Sequence, residues 1–342
     1  MKPIDFAWGS LRTITQLQPT EVKLLVDEIE YPLLERDSVG YVVHLSAPQK
    51  HRENLLKLHG MYFDNDLKGR ISLWRMFKAS VYHLSLHTIT TDYSMYKSIS
   101  ESVSSVQNLM FAISQVEDFA VKGHMKSKWK GLLFDTAYAN FLSFRRFRNL
   151  EQSDTSTRIA ANLLGYMMVG KQIFSLGREI DEQLKSLHRS LQEVEYAAYA
   201  DHSIPSSQKH VSKDGNQSRS SFQLRISTAK KIVEFLDDQG CEITSIPSPP
   251  YADNHGSNEI FDNATEAVKG NLDDFDLILR NDASSVLPGM TIEEIRGAEK
   301  FTEGEAQAVL GDWEYSLISM NKLIEIYKSL DPKSHFEGFL FP

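Results

Sequence analysis

From Ser72 the chain runs "SLWRMFKASVYHLSLHTITT", apolar nearly all the way round a helical wheel. Trp74, Phe77, Val81 and Leu84 make one stripe, and Ala79, Tyr82 and Leu86 fill much of the rest, the pattern of a buried helix. The following stretch, "SVSSVQNLMFAISQVEDFAVKGHMKSKW", spaces Val103, Val106, Met110, Ile113, Glu117, Val121 and His124 by threes and fours. That period predicts a second long helix with Glu117 on its apolar face. "GLLFDTAYANFLSFRRFRN" predicts a third helix. Residues 156 to 200 predict a long helical stretch interrupted near Gly170 or Gly177. Its second part carries Leu184, Leu187, Leu191 and Val194 on one side and charges on the other, as an amphipathic surface helix does.

Toward the amino terminus, "EVKLLVDEIEYPLL" reads as a helix with apolar residues at 22, 25 and 29, capped by Thr20 and stopped near Pro32. "GYVVHLS" reads as a short strand, and "QKHRENLLKLHG" as a short helix ended by Gly60. Residues 201 to 223 are polar, serine-rich and aperiodic, the composition of a linker. Beyond it, Ser227 is placed to cap "TAKKIVEFLDDQG", and Cys241 to Ile246 reads as one strand. Capping boxes at Thr291 with Glu294 and Thr302 with Glu305, and the stripe of "DWEYSLISMNKLIEIYKSL", predict further helices. The expected architecture is all-α: a multi-helix bundle with one or two short strands and a smaller helical C-terminal part. Its expected divisions are a body over residues 1 to 200, a linker over 201 to 223 and a helical region over 224 to 342.

Composition narrows the function. A net charge of −9 argues against nucleic acid, since a phosphate-binding surface needs a basic face. The one dense basic cluster, Arg145, Arg146 and Arg148, makes a local patch. A single cysteine, Cys241, excludes an internal disulfide and fits a reducing, cytoplasmic setting. The first residues lack the apolar core of a secretory signal, and "IAANLLGYMMVG" is well short of the ~20 residues of a membrane span.

The pointed chemistry is "VYHLSLHTITTDY", where His83 and His87 lie one turn apart on one helix face, the spacing by which two imidazoles reach one metal ion. Glu117 is the candidate third ligand, with Asp118 beside it as an outer support, because a carboxylate on an apolar face needs a proton, a partner or a metal. His124 lies two turns from Glu117, about 10 Å along the axis, too far to share an ion with it. Zinc or iron suits such donors. The plain alternative is a pair of neutral core histidines hydrogen-bonded to a carbonyl, to Glu117 or to Asp118. Hydrolysis is disfavoured, since a helical zincin reads His-Glu-x-x-His and here Leu84 follows His83. Phosphate-binding glycine loops are absent.

The segments "LWRMFKASVYHLSLHTIT", "NLMFAISQVEDFAVKGHM" and "FLSFRRFRNL" resemble the helical amino-terminal region of the nitric-oxide-reductase activation protein D and its Rubisco-activating relatives. His83, His87, Glu117 and Asp118 are the matching positions, and Lys122 stands where that family tends to carry a second glutamate. The resemblance covers about a quarter of the chain. It implies a non-catalytic adaptor for a MoxR-type AAA+ ATPase acting on a target metalloenzyme. The family's von Willebrand factor A domain, with its Asp-x-Ser-x-Ser motif, has no counterpart here. A degenerate zincin-like metal-binding protein or hydrolase using His83, His87 and Glu117, or a helical scaffold of unrelated function, are the competing expectations.

Overall fold

Val22, Leu24 and Val26 are buried while Lys23 and Leu25 between them are only partly so, which is the two-residue period of a strand. The computed structural model, which describes residues 3 to 268 apart from 18–20, 28, 37–39, 102, 130–131, 204–215 and 263, builds two small sheets before its long helices. Helix α1 (Pro3–Thr15) leads into β1 (Val22–Asp27), β2 (Leu33–Arg36) and β3 (Tyr41–Ser46). Strand β3 is central, parallel to β1 and antiparallel to β2. A meander of β4 (Gln49–Arg52), β5 (Leu55–Leu58) and β6 (Met61–Asp64) follows.

The chain is therefore a mixed α/β protein, mostly helical, and the expected all-α bundle is corrected at its amino-terminal end. Both helices expected before residue 60 are strands. The apolar letters of these short elements fit either period, and what decides between them is pairing with β3 in one case and β5 in the other. At the β5–β6 turn, His59 and Gly60 have φ of 50° and 69°, the pair of positive values that a two-residue hairpin needs. Gly60 thus takes the left-handed conformation in a hairpin, not at a helix end.

The long helices arise much as their patterns predict. Asp66 caps α2 (Leu67–Thr90) by accepting from the Gly69 amide at 2.7 Å. Every residue from Ser72 to Thr88 except Lys78 is buried. A 3-10 turn (Tyr93–Tyr96) and α3 (Lys97–Ser100) connect to α4 (Val106–Lys128), capped by Ser105. Next come α5 (Leu132–Arg145), α6 (Thr155–Val169), α7 (Arg178–Ser203) and α8 (Asn216–Asp238). Gly170, at φ 71°, ends α6, and Gly177, at φ 101°, precedes α7. Of the stretch 201–223, residues 201–203 finish α7 and 216–223 open α8, while 204–215 lie outside the described residues. Ser227 sits inside α8, and Cys241 to Ile246 follows it as irregular chain packed against α4. The helices expected beyond residue 290 also lie outside the described residues.

Two apolar cores result. One joins α1, both sheets, α2 and α5; the other joins α4, α6, α7, α8 and the chain around Ile243 and Ile260. Arg75 and Lys78 of α2 reach Asp135 of α5 at 2.9 and 2.6 Å within the first core. Arg146, from the basic cluster, is buried and donates to the carbonyls of Asp262, Ala264 and Glu266, tying the last described segment down. Among the described residues no helix is long and apolar enough to cross a membrane.

Two predictions follow from this packing. A Cβ at Gly123 would meet the Glu195 carbonyl oxygen at 2.1 Å where α4 crosses α7, so Gly123→Ala should cost about 1–3 kcal/mol in urea unfolding. His59, between Ser46 Oγ at 3.2 Å and Ser80 Oγ at 3.1 Å, is pushed by burial down to about 3. The unfolded chain therefore binds a proton between pH 6.5 and about 3 that the folded chain refuses, so stability falls as pH drops through that window. Between pH 6.5 and 5 this one group should remove about 1.6 kcal/mol, a share of the slope that His59→Asn, suited to positive φ, should take away in denaturant titrations at the two pH values.

Candidate metal centre

His83 and His87 project from the last two turns of α2 toward α4 because the i, i+4 spacing stacks them on the helix face that crosses it. Both are buried, 3% and 1% exposed. The carboxylate that meets them is Asp118, not Glu117. His83 Nε2 and His87 Nε2 each lie 3.2 Å from Asp118 Oδ1, and 2.9 Å from one another. Among the described residues these three form the one group of histidine, cysteine and carboxylate side chains whose ligand atoms converge this closely. His124 takes no part.

The triangle is short of protons. Three contacts must be satisfied, each ring nitrogen supplies at most one hydrogen, and two hydrogens facing one another across 2.9 Å would repel. A cation at the centre satisfies all three atoms together. Ligand atoms about 2.0–2.2 Å from one ion and roughly 90–110° apart lie about 3–3.4 Å from each other, close to the spacings here. His87 Nδ1 meets Thr91 Oγ1 at 2.8 Å, which orients that ring from behind. Asp118 Oδ2 is buried and without a hydrogen-bond partner among the described residues, as a carboxylate poised to turn both oxygens to an ion would be.

Electrostatics agree with one positive charge at this point. Burial pushes His83 below its ordinary pKa, and the neighbouring His87 pushes it further. For His87 burial acts downward too, but the hydrogen bond and charge of Asp118, with the charges of Asp253 and Glu117, outweigh it and leave the pKa raised. Asp118 is driven upward by burial, yet the two imidazoles overcome this and hold it well below the usual carboxylate range.

Glu117 is wholly buried but turns the other way round α4. It accepts from Tyr96 Oη at 2.5 Å and from Arg225 Nη1 at 3.1 Å, and the same Arg225 nitrogen donates to the Thr90 carbonyl at 2.8 Å. The expected ligand thus serves an ion pair between α4 and α8, and its neighbour takes its place at the histidines. Along α4 successive side chains are about 100° apart, so of an adjacent Glu-Asp pair only one can face α2. Sequence reasoning missed Arg225, which lies 108 residues from Glu117 with no local signal joining them. It missed Tyr251 and Asp253 as well. The Tyr251 ring stands edge-on to His83 at 5.5 Å, and Asp253 bonds the Leu34 amide at 2.8 Å and lies 3.3 Å from His255.

Comparison with protein-family models, with curated proteins and with solved structures finds no match for this chain.

The division of labour between adjacent carboxylates is testable. Glu117→Gln leaves the Arg225 guanidinium, only 4% exposed, without its counter-charge and should cost about 3–5 kcal/mol in urea unfolding. A Glu117→Leu, Arg225→Met double variant should recover part of that loss, because no buried charge is then uncompensated.

Proposed function

We propose that this protein is a non-catalytic metal-binding protein that holds one divalent transition-metal ion on His83, His87 and Asp118. The observation that carries the reading is the convergence of two imidazole nitrogens and one carboxylate oxygen within 3.2 Å in the protein interior. Two nitrogen donors and one oxygen suit zinc or ferrous iron. With an ion bound, the residues of this chain orient it and shield it from bulk water. The residue after His83, where a helical zincin keeps its general base, is Leu84, and it is fully buried in apolar surroundings.

For the role of such a protein we propose an adaptor working with a MoxR-type AAA+ ATPase in the activation of a metalloenzyme, in the cytoplasm. What supports this is the resemblance of residues 70 to 150, whose four matching positions, His83, His87, Glu117 and Asp118, sit together at one helix crossing. The single cysteine, Cys241, is a buried free thiol, in keeping with a reducing compartment. Stimulation of a MoxR-type ATPase by the purified chain tests this role, and an unchanged ATPase rate would count against it.

Elemental analysis of protein purified from zinc- and iron-supplemented cells should find about one ion per chain. His83→Ala with His87→Ala should lose it, and so should Asp118→Ala, whereas Glu117→Gln should keep it. Metal-free wild-type protein, or an ion that follows Glu117 instead of Asp118, would refute the assignment.

A further inference from the structure

We propose that the metal centre includes a small-anion pocket, in which an oxyanion of carboxylate type, the size of formate or bicarbonate, bridges the ion and Lys122. The inference rests on the metal reading above and goes beyond it by naming the class of exogenous ligand and the residue that selects it.

Three protein ligands leave a divalent ion with at least one open position. Of the trio, His83 and Asp118 line a cavity that His87 does not reach, so the open position faces that cavity. Its inner space, about 20 Å³, is that of a single water molecule, so a ligand on the open position can place one oxygen there and must keep its remaining atoms in the open mouth of the cavity. Lys122, one turn beyond Asp118 on α4, forms part of the wall.

Lys122 is short of a negative partner. Its carboxylate neighbour, Glu195 of α7, places Oε2 3.8 Å from Nζ, an ion pair beyond hydrogen-bond reach, while Lys126 holds Oε1 at close range. Two lysines with side chains 16% and 13% exposed share one carboxylate that is itself 11% exposed. Burial, and then the charge of Lys122, push Lys126 down to about 7, so near neutral pH the pair carries somewhat more positive charge than the one carboxylate balances. Of the other groups around Lys122, Asp118 on the same wall gives its Oδ1 to the two imidazoles, His188 is pushed by burial down to about 4 and stays uncharged, and Phe119 offers a ring face 5.6 Å away. Burial brings Lys122 itself down to about 8, so it remains largely charged at neutral pH.

A further polar side chain stands on the same wall: Asn140, whose Oδ1 accepts from Tyr251 Oη at 2.7 Å. A metal ion on the floor and an ammonium on the wall that is held only loosely by its carboxylate make a site for a small anion with two or more oxygens. The second oxygen is what separates such a ligand from water.

Cobalt(II)-substituted protein provides the test, since its visible spectrum reports both metal uptake and changes in coordination. Formate titrated into the cobalt protein should change the spectrum saturably. Lys122→Met should weaken that binding about tenfold or more, the scale of one charge-assisted hydrogen bond, while Lys122→Arg retains most of it. A parallel bicarbonate titration shows which of the two anions the pocket prefers. Cobalt uptake with a spectrum that neither anion moves, or a Lys122→Met protein that titrates like the wild type, overturns the anion pocket and leaves the metal reading intact. Failure of the wild type to take up cobalt overturns both. Should Lys122→Met not hold cobalt, Lys122→Gln is read by the same criteria.

Discussion

Four ionisable side chains, His83, His87, Glu117 and Asp118, are buried where α2 crosses α4, between two apolar cores. Ionised groups in such a place are tolerated only when each is matched by an opposite charge or by hydrogen bonds. Much of the surrounding structure is that matching. Asp118 faces the imidazoles, Thr91 holds one of them from behind, and Glu117 takes Arg225 and Tyr96.

This requirement links distant parts of the chain. Arg225 brings α8 against α4 and also satisfies the carbonyl of Thr90, at the last turn of α2, so one guanidinium joins three helices. From the opposite side, Tyr251 and Asp253 bring the irregular chain after α8 to the histidines and to strand β2. The small sheets thus do more than cover α2. They supply the backbone amide of Leu34, to which Asp253 is anchored.

On the α7 side the balance is different. Lys122 and Lys126 approach a single carboxylate, Glu195, at the crossing where Gly123 lets α4 and α7 come within backbone contact.

The long helices were legible in the amino-acid sequence because each repeats its apolar period over four or more turns, enough to outvote local exceptions. The strands of residues 22 to 64 were not, because four to six residues give too few repeats to separate a period of 2 from 3.6. For Val22 to Asp27 the decision rests on a parallel partner, Tyr41 to Ser46, that no local rule identifies. The sequence by itself determined that two imidazoles share one face of a buried helix and that a Glu-Asp pair lies on the next long helix. Which carboxylate meets the histidines was decided by the tertiary structure. Neighbouring side chains on α4 point about 100° apart, and the angle at which α4 meets α2 and α8 turns Asp118 to the imidazoles and Glu117 to Arg225.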